Sequence, residues 1–235
     1  MGIVERKVRE KERRRKQILK AGEKIFLRRG VDNTTMEEIA RSCELSKGTI
    51  YLYFKNKEEL FTTIMMDALD IIIGMLEKNL TECQTVDDKL NMICKTYLEF
   101  CRDNREYFQL MNSHSMGSHA RFKIDITDKN LAFLSQTQKL FSVITDVLEE
   151  GQQVGVIRKD LDLMEFVVVF WSASNGVMAF MDHLASHDTE IIPELMANYP
   201  QFGYLSRFAQ LNHERSLTML WNMIGDAIKP QTREK

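Results

Sequence analysis

Proline is almost missing from this 235-residue chain: Pro193, Pro200 and Pro230 all lie late, so the first 192 residues contain none. Glycine is scarce as well, at eleven, and valine–isoleucine alternation is rare. A sandwich or barrel of short strands needs both turn-formers and period-two patterning, so their shortage argues for an all-α fold. The four cysteines, Cys43, Cys83, Cys94 and Cys101, form no C-x-x-C pair. Reduced, mostly buried thiols are therefore expected ahead of a redox sensor. No apolar run approaches the roughly 18 residues that span a bilayer, and the charged N-terminus lacks a secretory apolar segment. A cytoplasmic protein without a membrane partner is expected. A glycine-rich phosphate loop, a triad-like arrangement and a convincing metal set are also lacking, so no catalytic residue, metal ligand or cofactor is assigned. His183 and His187 stand at i,i+4 beside Asp182 and Asp188, a spacing that can hold a metal, but exposed histidines near a helix end account for them more simply.

What is present is an uneven charge. The chain carries a net charge of −2, yet residues 1–60 are net +6 and the remaining 175 are net −8. A basic end on an acidic body is the footprint of one end meeting a polyanion. Eight of the bases fall in the first 16 residues, interleaved with Glu5, Glu10 and Glu12. Mixed signs at helical spacing read as a solvated extension of the first helix, whereas Arg13 to Lys16, with no acid among them, could track the DNA backbone or a minor groove as flexible arms do; a helical extension that adds phosphate contacts is the favoured expectation.

Three helix starts then crowd together. Thr35 and Asn56 head capping-box patterns with Glu38 and Glu59, and Ser46 is a simple N-cap. Met36, Ile39, Ala40 and Cys43 share one helical face, and Glu44-Leu45 forms a turn with Leu45 folded inward. A second short helix follows from Ser46. Upstream, Ile18, Ala21, Gly22, Ile25 and Phe26 form an apolar stripe that Gly30 terminates. Three short helices can thus bury one small core, with the last two arranged as a helix-turn-helix whose second helix enters a major groove. Its outward residues suit that role: Lys47 can neutralise a phosphate or donate to guanine, the Thr49 hydroxyl and methyl suit phosphate or thymine, and Tyr51 and Tyr53 can donate to phosphate. Gly48 lets the backbone come close, and Lys57 sits in a helix first turn that favours an anion. Packing of the Tyr53 ring on the first helix, and ordinary solvated lysines at positions 47 and 57, are the plainer alternatives.

The segment from about Arg15 to Met65 resembles the DNA-binding domain of TetR/AcrR-type bacterial transcription regulators. The resemblance is carried by Ile18 to Gly30, by Thr34-Thr35-Met36-Glu37-Glu38-Ile39-Ala40, and by the stretch from Ser46 to Leu60. It implies that Lys47, Gly48, Thr49 and Tyr51 face bases, while Thr35, Ser46, Leu52, Tyr53 and Lys57 lie against the sugar-phosphate backbone. Residues 1–60 are thereby expected to form the DNA-binding domain, with a basic extension over 1–16, and residues 61–235 a helical effector-binding and dimerisation domain.

In that second part, an apolar stripe through Phe61, Ile64, Leu69, Ile72, Leu76 and Leu80 predicts a helix of about 25 residues. Further helices are expected over Val86–Arg102, Asn104 to about Met116, Ile126–Gln153, Leu163–His187 and Tyr204–Ile228, with Asp162 capping the fourth of these. Small residues Ser172, Ala173, Gly176 and Ala179 on one surface permit close helix approach, and Leu205, Phe208, Asn212, Ser216, Met219 and Met223 recur at helical spacing. Burial inside one chain explains much of this; the resemblance implies instead a homodimer through the last two long helices, suited to a palindromic operator. Phe100, Tyr107, Phe108, Met111, Phe133, Phe141, Phe170 and Trp171 are candidates to line a pocket for a small lipophilic effector, or are simply core. Asn175, an amide in an apolar helix, could orient such a ligand or make a helix–helix hydrogen bond. The leading expectation is a ligand-responsive dimeric regulator, a repressor by family precedent. An effector-independent architectural DNA coat is the alternative, and an all-α enzyme the third.

Overall fold

The structure, a computed structural model, describes residues 2–115, 128–186, 198 and 212–230. All regular elements among them are α-helices: α1 Ile3–Arg29, α2 Met36–Ser42, α3 Lys47–Tyr51, α4 Lys57–Leu80, α5 Val86–Asp103, α6 Arg105–Ser115, α7 Asp128–Val154, α8 Leu163–Ser186 and α9 His213–Ile228. The chain divides into two compact units, Met1–Lys78 with Glu99–Leu140, and Asn79–Leu98 with Phe141–Lys235.

The first unit is built on the apolar stripe of α1. Ile18, Phe26, Ile39, Ile50, Phe54 and Leu60 are essentially inaccessible and pack as one cluster, with Leu110 of α6 inside it. Phe26 and Phe61 meet edge to face at 5.9 Å. Gly22 lies where α1 crosses α4: a Cβ there would stand 2.7 Å from Leu60 Cδ2, so even alanine requires the Leu60 side chain to shift. Gly30 ends α1 at φ 75°, donating its N–H to the Phe26 carbonyl at 2.8 Å, the left-handed conformation that glycine adopts without strain. The basic N-terminal extension is helical and continuous with α1.

In the second unit, α8 and α9 pack together beside parts of α5 and α7. An aromatic group joins them. Tyr97 meets Trp171 at 5.6 Å and Trp221 at 6.5 Å, and Phe170 stacks on Trp221 at 6.3 Å. Gly151 makes room for the return of the chain after α7, since its Cβ would meet Ile157 Cδ1 at 2.5 Å. The Gly151 carbonyl accepts the N–H groups of Val156 and Ile157. Asp162 caps α8 through the Glu165 N–H at 2.9 Å, as expected.

Two expectations need correction. The helix expected over Tyr204–Ile228 is not continuous: Asn212 has extended backbone and caps α9, accepting the N–H groups of Glu214 and Arg215, so it is a cap and not a member of the apolar stripe. Residues 204–211 lie outside the described set, as do His119, His187, Pro193, Pro200, and the side chains of His114 and His183. Secondly, a stretch long and apolar enough to cross a membrane is present. Leu163–Met181 in α8 has a mean hydropathy of 1.5, with 17% of its most apolar stretch buried in the chain. Counting uninterrupted apolar residues misses it because Glu165, Ser172, Ser174 and Asn175 break the run without lowering the average enough.

Candidate nucleic-acid interface

The exposed edge of α3 is fixed by caps and one buried residue. The Thr49 N–H donates to Ser46 Oγ at 3.1 Å, and the two hydroxyls lie 2.8 Å apart. Ile50 points into the core with no accessible surface. Because a five-residue helix has little stability of its own, these anchors set its position. Before it, Glu44 takes φ 56°, alone in positive φ among the described non-glycine residues. That turn lets the Leu45 N–H reach the Ala40 carbonyl at 2.9 Å, while Leu45 packs on the core. Outside, Lys47, Gly48, Tyr51 and Leu52 are exposed. Leu52 is 80% accessible, a value that stands out for a large apolar side chain on a folded head. Tyr53 is half-buried against the core cluster, and Thr49 is half-buried beside its cap.

The α2 start makes the full reciprocal box. Thr35 Oγ1 accepts from the Glu38 N–H, and the Glu38 carboxylate accepts from the Thr35 N–H at 2.9 Å. That backbone bond, with the Thr35 hydroxyl, holds the Glu38 carboxyl below its usual range. At α4 the box is shifted. Asn56 Oδ1 takes the Glu59 N–H at 2.7 Å, but the Glu59 carboxylate takes the N–H of Lys55 and pairs with Lys129 of α7. Lys57 is turned to an internal task as well: its ammonium donates to the carbonyls of Val31 at 2.8 Å and Asp32 at 2.9 Å. Lys47 pairs with Glu37, whose carboxyl that ammonium holds below the usual range. Sequence reasoning missed Gln17, whose amide donates to the Cys43 carbonyl at 3.0 Å and ties α1 to the end of α2.

The nine residues suggested for an effector pocket are divided between the two units. Tyr107, Met111 and Phe133 pack against the core of the first unit, and Phe100 and Phe108 are buried residues of that same unit. Phe141, Phe170, Trp171 and Asn175 belong to the second unit, where Phe141 and Phe170 join the aromatic group. The Asn175 amide is bonded at both ends, accepting from the Tyr97 hydroxyl at 3.1 Å and donating to the Trp171 carbonyl at 2.9 Å.

A helix-turn-helix head whose second helix is basic, capped and exposed, on a chain whose described residues are otherwise helical, is the arrangement of DNA-binding proteins of the regulator class. Residues 18–64 match the model of the bacterial regulatory proteins of the tetR family. That match spans the helix-turn-helix head, which is similar throughout to the heads of TetR-family regulators. The chain is 23% identical over 151 residues to the fatty acid metabolism regulator protein of Bacillus subtilis, covering 63% of this chain and 72% of that one. It is also 23% identical over 150 residues to the HTH-type transcriptional repressor KstR2 of Mycolicibacterium smegmatis, covering 64% and 70%. The structure of the fatty acid degradation regulator FadR from Bacillus halodurans shares the fold, with a TM-score of 0.64 at 14% identity over 91% of this chain and 99% of that one. These relatives are transcriptional regulators, not enzymes.

Proposed function

We propose that this chain is a dimeric repressor that reads a palindromic operator and is modulated by a small lipophilic effector. The observation that carries the reading is the outward edge of α3, where Lys47, Gly48, Tyr51 and Leu52 stand in solvent on a helix locked from within by Ile50. Lys47, Gly48, Thr49 and Tyr51 face bases. Thr35, Ser46, Leu52, Tyr53 and Lys57 lie along the backbone, with Thr35, Ser46 and Lys57 also holding the scaffold in shape. The second copy covers the outer surface of α8 and α9, where Val168, Val169, Phe180, Met219 and Met223 are exposed and nothing stands within 4 Å of a Cβ at Gly176. An apolar surface of that kind marks an association face, and a two-fold pair presents two heads to two half-sites. The aromatic group around Trp171, with Phe141, Phe170 and Asn175, is the effector region, and relatives named for fatty acid metabolism support a lipophilic ligand. Domain boundaries follow the same reading, a DNA-binding domain over 1–60 and the remainder for effector and dimer. A cytoplasmic location accompanies it.

Selection from random duplexes with the effector-free protein tests this. A palindromic consensus is expected, and Lys47→Ala or Tyr51→Ala should relax it while leaving the oligomer intact. Binding without any consensus would move the protein to the architectural class, and an unaltered consensus in both variants would remove α3 as the reader.

A further inference from the structure

Residues 3–17 of α1 precede Ile18, the first fully buried residue of the helix, so four turns, roughly 22 Å long, stand beyond the head's core. They stay helical without any core of their own, although Val4 and Val8 are exposed. One face of this projection carries Arg6, Lys7, Glu10, Lys11 and Arg14, which together with Leu52 and Tyr53 at the end of the reading helix line a cleft of about 680 Å³. The base of the projection is fixed to the same place: the Arg15 guanidinium lies over the Phe54 ring at 5.5 Å.

We infer that this cleft is a second DNA-backbone clamp, in which the α1 projection holds the strand flanking each operator half-site outside the bases that α3 reads. The inference rests on the DNA-reading function proposed above and adds its own contacts to it. The lining holds four cations against one carboxylate. Glu10 is itself occupied, accepting from Arg13 at 2.8 Å and Arg14 at 2.9 Å, and these two guanidiniums hold it at about 2. None of the ion pairs among the described residues engages Arg6, Lys7 or Lys11. Lys7, Lys11 and Arg14 follow one another at i, i+4 and i+7, rising roughly 6 and 4.5 Å along the axis, so a row of cations meets a row of phosphates in register with the groove beside α3. Tyr53 and Leu52 supply the apolar floor on which sugar rings rest. A polyanion with charges at regular intervals fits this row better than a compact anion does, and continuity with the reading helix favours DNA over an anionic membrane.

The test uses the full-length triple variant Arg6→Ala/Lys7→Ala/Lys11→Ala on the duplex that the wild-type protein selects. Three lost phosphates per subunit should flatten the slope of log affinity against log salt by about 5 for a dimer and weaken binding tenfold or more at low salt, on the scale of counterion release. The selected consensus should stay the same, and hydroxyl-radical protection should retreat inward at both outer ends. A variant with Lys7→Arg and Lys11→Arg should keep the slope. An unchanged slope and footprint would overturn the clamp while leaving the reading helix in place. Loss of the consensus itself would count against both, and failure of the wild-type protein to select any consensus would count against the DNA-reading function. If the triple variant loses binding to phosphatidylglycerol vesicles and keeps its DNA slope, the projection faces membrane and the clamp is wrong.

Discussion

Lys57→Met separates two tasks of one side chain. The substitution keeps an apolar stem of similar length and removes only the ammonium, so the bonds to the Val31 and Asp32 carbonyls are lost without opening a cavity. A hydrogen bond from a charged donor contributes about 1.5–3 kcal/mol where its acceptor would otherwise stay dry, and much less where water takes over. Val31 is buried and Asp32 is exposed. Water therefore replaces the lysine at Asp32, and the cost falls on the Val31 carbonyl, for a net loss of about 1–2 kcal/mol in the loop between α1 and α2. Hydrogen exchange followed by mass spectrometry over residues 31–42 reads it directly, and the expected loss accelerates exchange there about 5- to 30-fold. In parallel, the salt dependence of operator binding should flatten by about 0.9 per subunit where Lys57 also meets a phosphate with its third proton. Unchanged exchange with weakened DNA binding would refute the structural part of the reasoning and leave Lys57 as a phosphate contact alone.

Gly22→Ala sets a Cβ 2.7 Å from Leu60 Cδ2 and 3.3 Å from its Cγ, and Leu60 has no accessible surface into which to swing; overpacking should cost the head about 1–3 kcal/mol, seen as earlier thermal loss of its amide protection. Asp67→Asn should raise the melting temperature at pH 7, because burial, against the pull of Arg15 and with repulsion from Asp70 and Glu12, holds the Asp67 carboxyl above its ordinary range. A raised folded-state value means the wild-type contribution is intact below the unfolded pKa and lost as pH rises through the folded one, so calorimetry should show the variant's advantage fading as the pH falls to about 4. Val169→Glu, on the outer face of α8 where the wild-type side chain is 58% exposed, should leave the single chain folded and shift sedimentation towards monomer, with loss of palindrome binding; an unshifted sedimentation profile would place the association face elsewhere.

The local chemistry of the head was legible because helix caps act over three or four residues. Thr35, Ser46 and Asn56 each accept the N–H that their spacing implies, and Gly30 takes the left-handed turn that ends α1. What stayed hidden depends on chain segments that only folding brings together. Lys57 reaches carbonyls 25 and 26 residues back, Gln17 reaches the end of α2, and Glu59 leaves part of its capping task to pair with Lys129. The residues suggested for an effector pocket were the least legible. Composition shows that aromatic and sulfur-bearing side chains are plentiful, but nothing in spacing tells which of them join the core of the head and which gather around Trp171. Asn175 shows the same limit: its helical position marks it as an amide in an apolar helix, while the Tyr97 hydroxyl that satisfies it lies 78 residues away in the sequence.

The ion pairs of the head bear on how affinity and selection divide. Lys47 is held by Glu37, Arg29 by Glu38 at 2.6 Å, and Arg13 and Arg14 by Glu10. Such exposed pairs contribute about 0–1 kcal/mol to stability, so their consequence is felt in binding. A phosphate or base edge that takes Lys47 must displace a carboxylate, exchanging one charge-assisted bond for another, and the free-energy gain is small unless the replacement geometry is the better one. That condition favours a correct base edge over a passing phosphate, and it makes α3 a poor source of nonspecific affinity. Arg6, Lys7 and Lys11 carry no such exchange cost and release counterions when a strand arrives. Under the proposed reading, salt-sensitive holding therefore resides in the α1 projection and discrimination in α3. Raising the salt should then weaken binding to random duplexes faster than binding to the selected operator, so the ratio between the two grows with ionic strength.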